Sequence, residues 1–210
     1  ARFVRWLAKF SIYQNPVTRH AIELWIDQFA NQDRDLASRI LDSILFINPN
    51  TIQHNYRELL NSIPGWSINQ KNRIGQWFFV PFSGSTGESG DSMVHWFRMA
   101  NNLTHNRYNN LFIHRSELAS KELTEADTVI LIDDFSGTGQ QACTFWNEIF
   151  REILMGAPKI YLFLVAATSD AIGKVNHETE MEVRCDRVLN NRDNLFHQSC
   201  TFYTPAEKDR

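Results

Sequence analysis

Long apolar runs are missing from this chain. None approaches the roughly 20 residues needed to span a bilayer, and residues 1–10, interrupted by Arg2, Arg5 and Lys9, do not read as a signal peptide. Cysteine is scarce: Cys143, Cys185 and Cys200 show no metal-ligand spacing and cannot all pair in disulfides. That usage fits a reducing, cytoplasmic location. The seven histidines are scattered without an HExxH-type cluster, so no metal held by protein ligands alone is expected. Neither sign of charge is in large excess. A formal net charge of -3 and a pI near 6.2 exclude a global pull toward membranes and leave nucleic acid at most an indirect partner, through local patches. The small-residue run at 83–90 is not a Walker A loop, because Asp91 stands where its lysine should follow the last glycine. The chain starts at Ala1, so either an initiator Met has been removed or a longer protein precedes it.

What is present is enough for a full core. At 210 residues one domain, or one with an appendage, is expected, and 43% hydrophobic content with six Trp and fifteen Phe implies a dense interior. The stretch 128–141, TVILIDDFSGTGQQ, organises the rest. Val129 to Ile132 form the continuous apolar run of a strand buried on both faces, which stops at Asp133 and Asp134. Small residues follow, then a helical pattern with Ala142, Trp146, Ile149, Phe150 and Ile153 on one face. A loop of small residues between a parallel strand and a helix N-terminus turns several backbone N–H groups toward one point, where the helix dipole also favours an anion. The adjacent carboxylates repel phosphate and suit hydroxyls or a metal. A sugar phosphate offers both chemistries. Two other readings stand beside this one. Residues 137–142 also satisfy the GxGxxA dinucleotide pattern, although there the strand should run almost directly into the first glycine. An ordinary strand, turn and helix with a solvated Asp-Asp is the other.

The stretch resembles the phosphoribosyl-pyrophosphate signature of the type I phosphoribosyltransferases. The resemblance implies that Asp133 and Asp134, as catalytic-site residues, hold the ribose hydroxyls, and that Ser136, Gly137, Thr138, Gly139 and Gln140 hold the 5′-phosphate. It also implies that the loop after the first core strand, with Ser83, Gly84, Ser85 and Thr86, takes pyrophosphate, and that Mg²⁺ arrives bound through the substrate. The sequence departs from the family in two places. The 83–86 loop has no Lys or Arg, and only residues 115–127 stand where the family inserts a long mobile hood, with Lys121 the only lysine. A linker is the plain reading of the first loop.

The remaining chain reads as helices before residue 74 and as alternating strands and helices after it. The first third gives a helix entered at Asn15-Pro16 and carrying Val17, Ala21, Leu24 and Trp25. Two more carry Leu36, Ile40, Leu41, Ile44 and Ile47, then Ile52, Tyr56, Leu59, Leu60 and Ile63. Residues 77–82 form a buried strand, Asp91 caps a helix from Ser92 to about Asn101, and Leu111 to His114 form a second strand. Ile160 to Ala167 form another strand, followed by a short helix at 168–176 and strand pieces at 182–187 and 201–203, with a frayed tail from Pro205. The fold class is therefore α/β: an open, mostly parallel sheet with flanking helices (75–210), preceded by an N-terminal helical subdomain (1–74). Trp25…Gln28-Phe29 and Ile40-Leu41…Ile44-Leu45 further resemble the phosphoribosyltransferase-CE branch of bacterial conflict and anti-phage systems. That resemblance implies an effector acting on phosphoribosyl pyrophosphate or a nucleotide at the ribose anomeric carbon. The alternatives are a ribose-phosphate sensor without turnover and an assembly subunit whose N-terminal helices meet a protein partner.

Overall fold

The structure is a computed structural model that describes residues 2–12, 15–82, 89–154 and 158–208. Two compact units appear, residues 1–51 with 203–210 and residues 52–202. This division differs from the expected one at residue 74.

In the first unit, α1 (Arg2–Phe10), α2 (Arg19–Asp27) and α3 (Arg34–Ser43) enclose Trp6, Phe10, Ile22 and Leu41. The Trp6 indole N–H donates to Asp42 at 2.8 Å. α2 begins three residues later than Asn15-Pro16 implied: Thr18 stays extended and its hydroxyl accepts the Ala21 N–H at 3.1 Å. Residues 205–208 of the tail are not frayed as expected. They form a helical turn tied down by the Glu207–Arg39 ion pair, and the Tyr203 hydroxyl donates to the Leu36 carbonyl at 2.8 Å. Residues 201–203, expected as a strand piece, lie outside any strand.

The second unit contains most of α4 (Pro49–Asn61), then β1 (Trp77–Pro81), α5 (Ser89–Ala100), α6 (Arg115–Leu118) and β2 (Thr128–Ile132). After these come β3 (Phe135–Ser136), α7 (Gln140–Phe145), a π-helical turn Trp146–Phe150 and α8 (Arg151–Ile153). β4 (Lys159–Thr168), α9 (Ser169–Glu178) and β5 (Glu182–Leu189) complete it. Among the described residues every strand pairing is parallel. β2 lies between β1 and β4, and β3 continues β2 along β4 in the same register. β5 covers the other side of β4. A parallel sheet with both faces covered needs strands apolar on both sides, and all five residues of β2 are buried.

Alternation sorts the two layers. Phe78, Val80, Val129, Leu131, Leu162 and Leu164 share a face with Leu118 of α6, Trp146 and Phe150 of the helix after β3, and Val175 of α9. On the other face Phe97 of α5 meets Phe79 (ring centroids 4.8 Å), Phe163 (6.3 Å) and Tyr56 of α4 (5.6 Å). Tyr56 and Leu60 are wholly buried, which is why α4 groups with this unit.

One expected strand is reduced. Residues 106–111 form a 3₁₀ helix, and of the expected strand 111–114 only Phe112 pairs, by a single parallel bridge to Phe79 on the outer edge of β1. His114 instead caps α6 in a reciprocal capping box with Glu117. The position of Phe112 still fixes the topology. The chain leaves β1 toward that outer edge and returns on the other side to build β2, so the order reverses between β1 and β2. Ligands of open α/β sheets bind outside the carboxyl ends of the strands at such a reversal.

Candidate functional site

β2 ends at Ile132, and the sheet is interrupted for two residues. The Asp133 carbonyl leaves the ladder and accepts the Tyr56 hydroxyl at 2.9 Å, while the Asp134 carbonyl accepts two N–H groups, from Val165 (3.0 Å) and Ala166 (3.1 Å). Pairing resumes at Phe135 and Ser136. The acidic pair is thus held from both sides by its own backbone. Tyr56 bears the cost of this arrangement: burial, then the charges of Asp133 and Asp134, push its hydroxyl well above the ordinary tyrosine range, so it is a hydrogen-bond donor at any working pH.

Beyond β3 the backbone turns at Gly137 and Gly139. Gly139 has φ +72°, and a Cβ there would sit 3.0 Å from the Ala171 carbonyl and 3.2 Å from Val175 Cγ2. This is the place where the turn requires glycine. Thr168 locks the arrangement, since its hydroxyl donates to the Gly137 carbonyl and accepts the Ala171 N–H as the N-cap of α9. Gly139→Ala is expected to lower stability by about 1–3 kcal/mol, read as a chemical-denaturation midpoint.

The turn borders a cavity of about 270 Å³ lined by Phe82, Asp133, Phe135, Ser136, Gly137, Thr138, Gly139, Gln141 and Ala142, over a floor of Leu162 and Leu164. Among the described residues the N–H groups of Gly137, Thr138 and Gly139 find no acceptor, and those of the first helical turn after them have none within the helix. Asp133 Oδ1 accepts the Asp134 N–H at 2.9 Å. α5 begins at the same edge, where Gly90 lies against Phe82 and the Ile132 carbonyl.

The residues singled out in sequence do not all arrive together. Asp133, Ser136, Gly137, Thr138 and Gly139 share the cavity. Asp134 is not part of its wall. Gln140 also lies off the wall: its side-chain oxygen accepts Lys174 Nζ at 2.6 Å. Ser83, Gly84, Ser85 and Thr86 fall outside the described residues. Lys121 packs over the Phe78 ring, 5.9 Å from its centroid, near the start of β1 and β2 and so at the far end of the sheet from Asp133. Tyr56 and Phe135 are site residues that the motif does not mark. Tyr56 carried only the signal of one apolar position in a helical stripe. Phe135, 50% exposed at the cavity, was legible as an aromatic residue just after an acidic pair.

An acid-ended strand and a glycine turn, opening on a helix N-terminus at the reversal of a parallel sheet, define a protein of the phosphoribosyltransferase-like class. The PRTase-CE family model matches residues 22–210, and the chain belongs to that family. Among solved structures the chain is similar to TT1426 from Thermus thermophilus, at 16% identity over 49% of this chain and 45% of that one. The TM-score is 0.27, and that likeness says nothing further about this chain. Comparison with curated proteins finds no match. Among the described residues no helix is long and apolar enough to cross a membrane.

Proposed function

We propose that this protein binds a ribose 5-phosphate compound, either phosphoribosyl pyrophosphate or a nucleotide, and acts at the ribose anomeric carbon. The observation that supports the reading is that Asp133 lines one cavity together with Gly137, Thr138 and Gly139, whose N–H groups find no acceptor among the described residues. On this reading the amides take the 5′-phosphate, and Asp133 accepts hydrogen bonds from ribose hydroxyls with Asp134 behind it. Phe135 faces the base or acceptor. About 270 Å³ is below the ~300–1,000 Å³ of pockets for drug-sized ligands, which favours a sugar phosphate over a whole dinucleotide.

The reaction breaks the bond between the anomeric carbon and the leaving oxygen. The electron pair departs with pyrophosphate or base, and an acceptor lone pair attacks the oxocarbenium-like carbon. Holding the pentose by hydroxyls and phosphate fixes that carbon for in-line approach. The residues present suit Mg²⁺ bound mainly through the substrate. Carboxylate oxygens of Asp133 and Asp134 are donors of the hard type it prefers, and among the described residues no group of three or more His, Cys, Asp or Glu gathers to hold a metal. When bound, Mg²⁺ would neutralise charge on the leaving group. The loop of Ser83, Gly84, Ser85 and Thr86 is assigned to pyrophosphate.

A second reading, sensing without turnover, is favoured by one observation: no Lys or Arg lines the cavity among the described residues. In either case we place the protein in bacterial defence, as a cytoplasmic effector or sensor whose N-terminal helices, with Val4 and Leu24 exposed, meet a protein partner. Incubation of purified protein with phosphoribosyl pyrophosphate or nucleotides and Mg²⁺ tests the enzyme reading. Time-dependent release of pyrophosphate or free base is the expected result. Saturable binding with no product after long incubation would establish the sensor instead.

A further inference from the structure

A second cavity, of about 330 Å³, lies at the opposite end of the sheet. It is lined by Ile68, Asn69, Gln70 and Arg73, which precede β1, and by Arg107, Tyr108 and Asn110, which precede the Phe112 bridge. The five residues of β1 separate it from the Asp133 cavity by roughly 15 Å, so one small ligand does not occupy both.

The wall carries two guanidinium groups and no acidic residue. In a chain with 24 Asp and Glu against 21 Lys and Arg, that is a local reversal of charge. Neither arginine forms an ion pair among the described residues. Arg73 is nevertheless held in place, while Arg107 is exposed. Arg73 donates from Nε to the Ser67 carbonyl (2.8 Å) and from a terminal nitrogen to the Ile68 carbonyl (3.2 Å), and it stacks on Trp66 at 5.1 Å. Arg107 stacks on Tyr108 at 4.7 Å. Burial pulls Arg73 below the ordinary arginine range. A partly desolvated cation without a counter-charge is less favourable than a solvated one, and an anion in the cavity would offset that cost. Arg73 keeps its remaining guanidinium N–H groups, and Arg107 its whole guanidinium, for the oxygens of a phosphate monoester. The amides of Asn69, Gln70 and Asn110 add neutral donors and acceptors suited to hydroxyl and base groups.

We propose that this cavity is a second ligand site, independent of the first, that binds the phosphate monoester of a nucleoside through Arg73 and Arg107. The test follows backbone amide resonances of the full chain during titration with inorganic phosphate and with adenosine 5′-monophosphate at constant ionic strength. Saturable shifts at 68–73 and 107–110 are expected with both probes. Tighter binding of the nucleotide would support the role of the three amide side chains. In Arg107→Gln, whose guanidinium makes no hydrogen bond to the fold in the described residues, affinity at these resonances should fall at least about tenfold, while shifts at 137–139 persist. Absence of saturable shifts at 68–73 and 107–110, or unchanged affinity in a folded Arg107→Gln, overturns the proposal. Because the two sets of resonances are read separately, failure here is distinguishable from failure of the Asp133 site.

Discussion

Asp133→Asn is expected to lower the affinity for ribose 5-phosphate by roughly 10–100-fold and to lower turnover of any substrate by at least as much. Asparagine has the same shape, and its side-chain oxygen still accepts the Asp134 N–H that Asp133 Oδ1 holds at 2.9 Å. The fold should therefore survive, and the loss reports the charge. A carboxylate accepts hydrogen bonds from two vicinal hydroxyls more strongly than an amide does, and hydrogen bonds to charged groups are worth about 1.5–3 kcal/mol each. Asp134→Asn should cost less, because Asp134 is not part of the cavity wall. Calorimetric titration of both variants checks the ranking. Equal losses would mean that the two carboxylates converge on the ligand although only Asp133 lines the cavity.

The second large effect lies in the scaffold. Gly75 has φ +70°, and a Cβ there would sit 1.9 Å from the Ala126 carbonyl oxygen and 2.5 Å from its carbon. The neighbouring backbone has no room to yield. The Gln76 N–H donates to the buried Asp127 carboxylate at 2.6 Å, and that carboxylate also accepts from the Thr124 N–H and hydroxyl. The Thr128 N–H donates to the Gln76 carbonyl at 2.8 Å, and the Lys159 N–H to the Asp127 carbonyl at 2.9 Å. One staple thus sets the start of β1, β2 and β4, and with it the register that delivers Asp133 to the far edge. Gly75→Ala is expected to cost roughly 3–5 kcal/mol, a drop in Tm of about 10 °C. Gly173→Ala is the control. It is an exposed helical glycine whose added methyl meets nothing within 4 Å, and it should leave Tm unchanged or slightly raised.

Much of the fold was legible because the signals were local. The apolar run 129–132 could only be a doubly covered strand, and the helix after it carried its own stripe. The sheet type followed from strands alternating with helices. Other features depend on contacts between distant residues. Leu111 to His114 has strand composition, but His114 and Glu117 form a capping box that ends the segment, leaving Phe112 one bridge. The tail looked unanchored until Glu207 met Arg39, far away in sequence. At the site, composition identified the acidic pair and the glycine turn. It did not separate Asp133 from Asp134, because the break in the ladder is set by Tyr56, Val165 and Ala166. Nor did it show that Lys174 engages Gln140. The shortened connector was visible as a length, while its placement over Phe78 came only with the tertiary packing.

The most direct measurement is a crystal structure of the full chain with ribose 5-phosphate bound. The phosphoryl group is expected against the N–H groups of Gly137, Thr138 and Gly139, and the ribose hydroxyls on the Asp133 carboxylate. A pentose seated elsewhere, or a phosphoryl group with no contact to that turn, would contradict this placement.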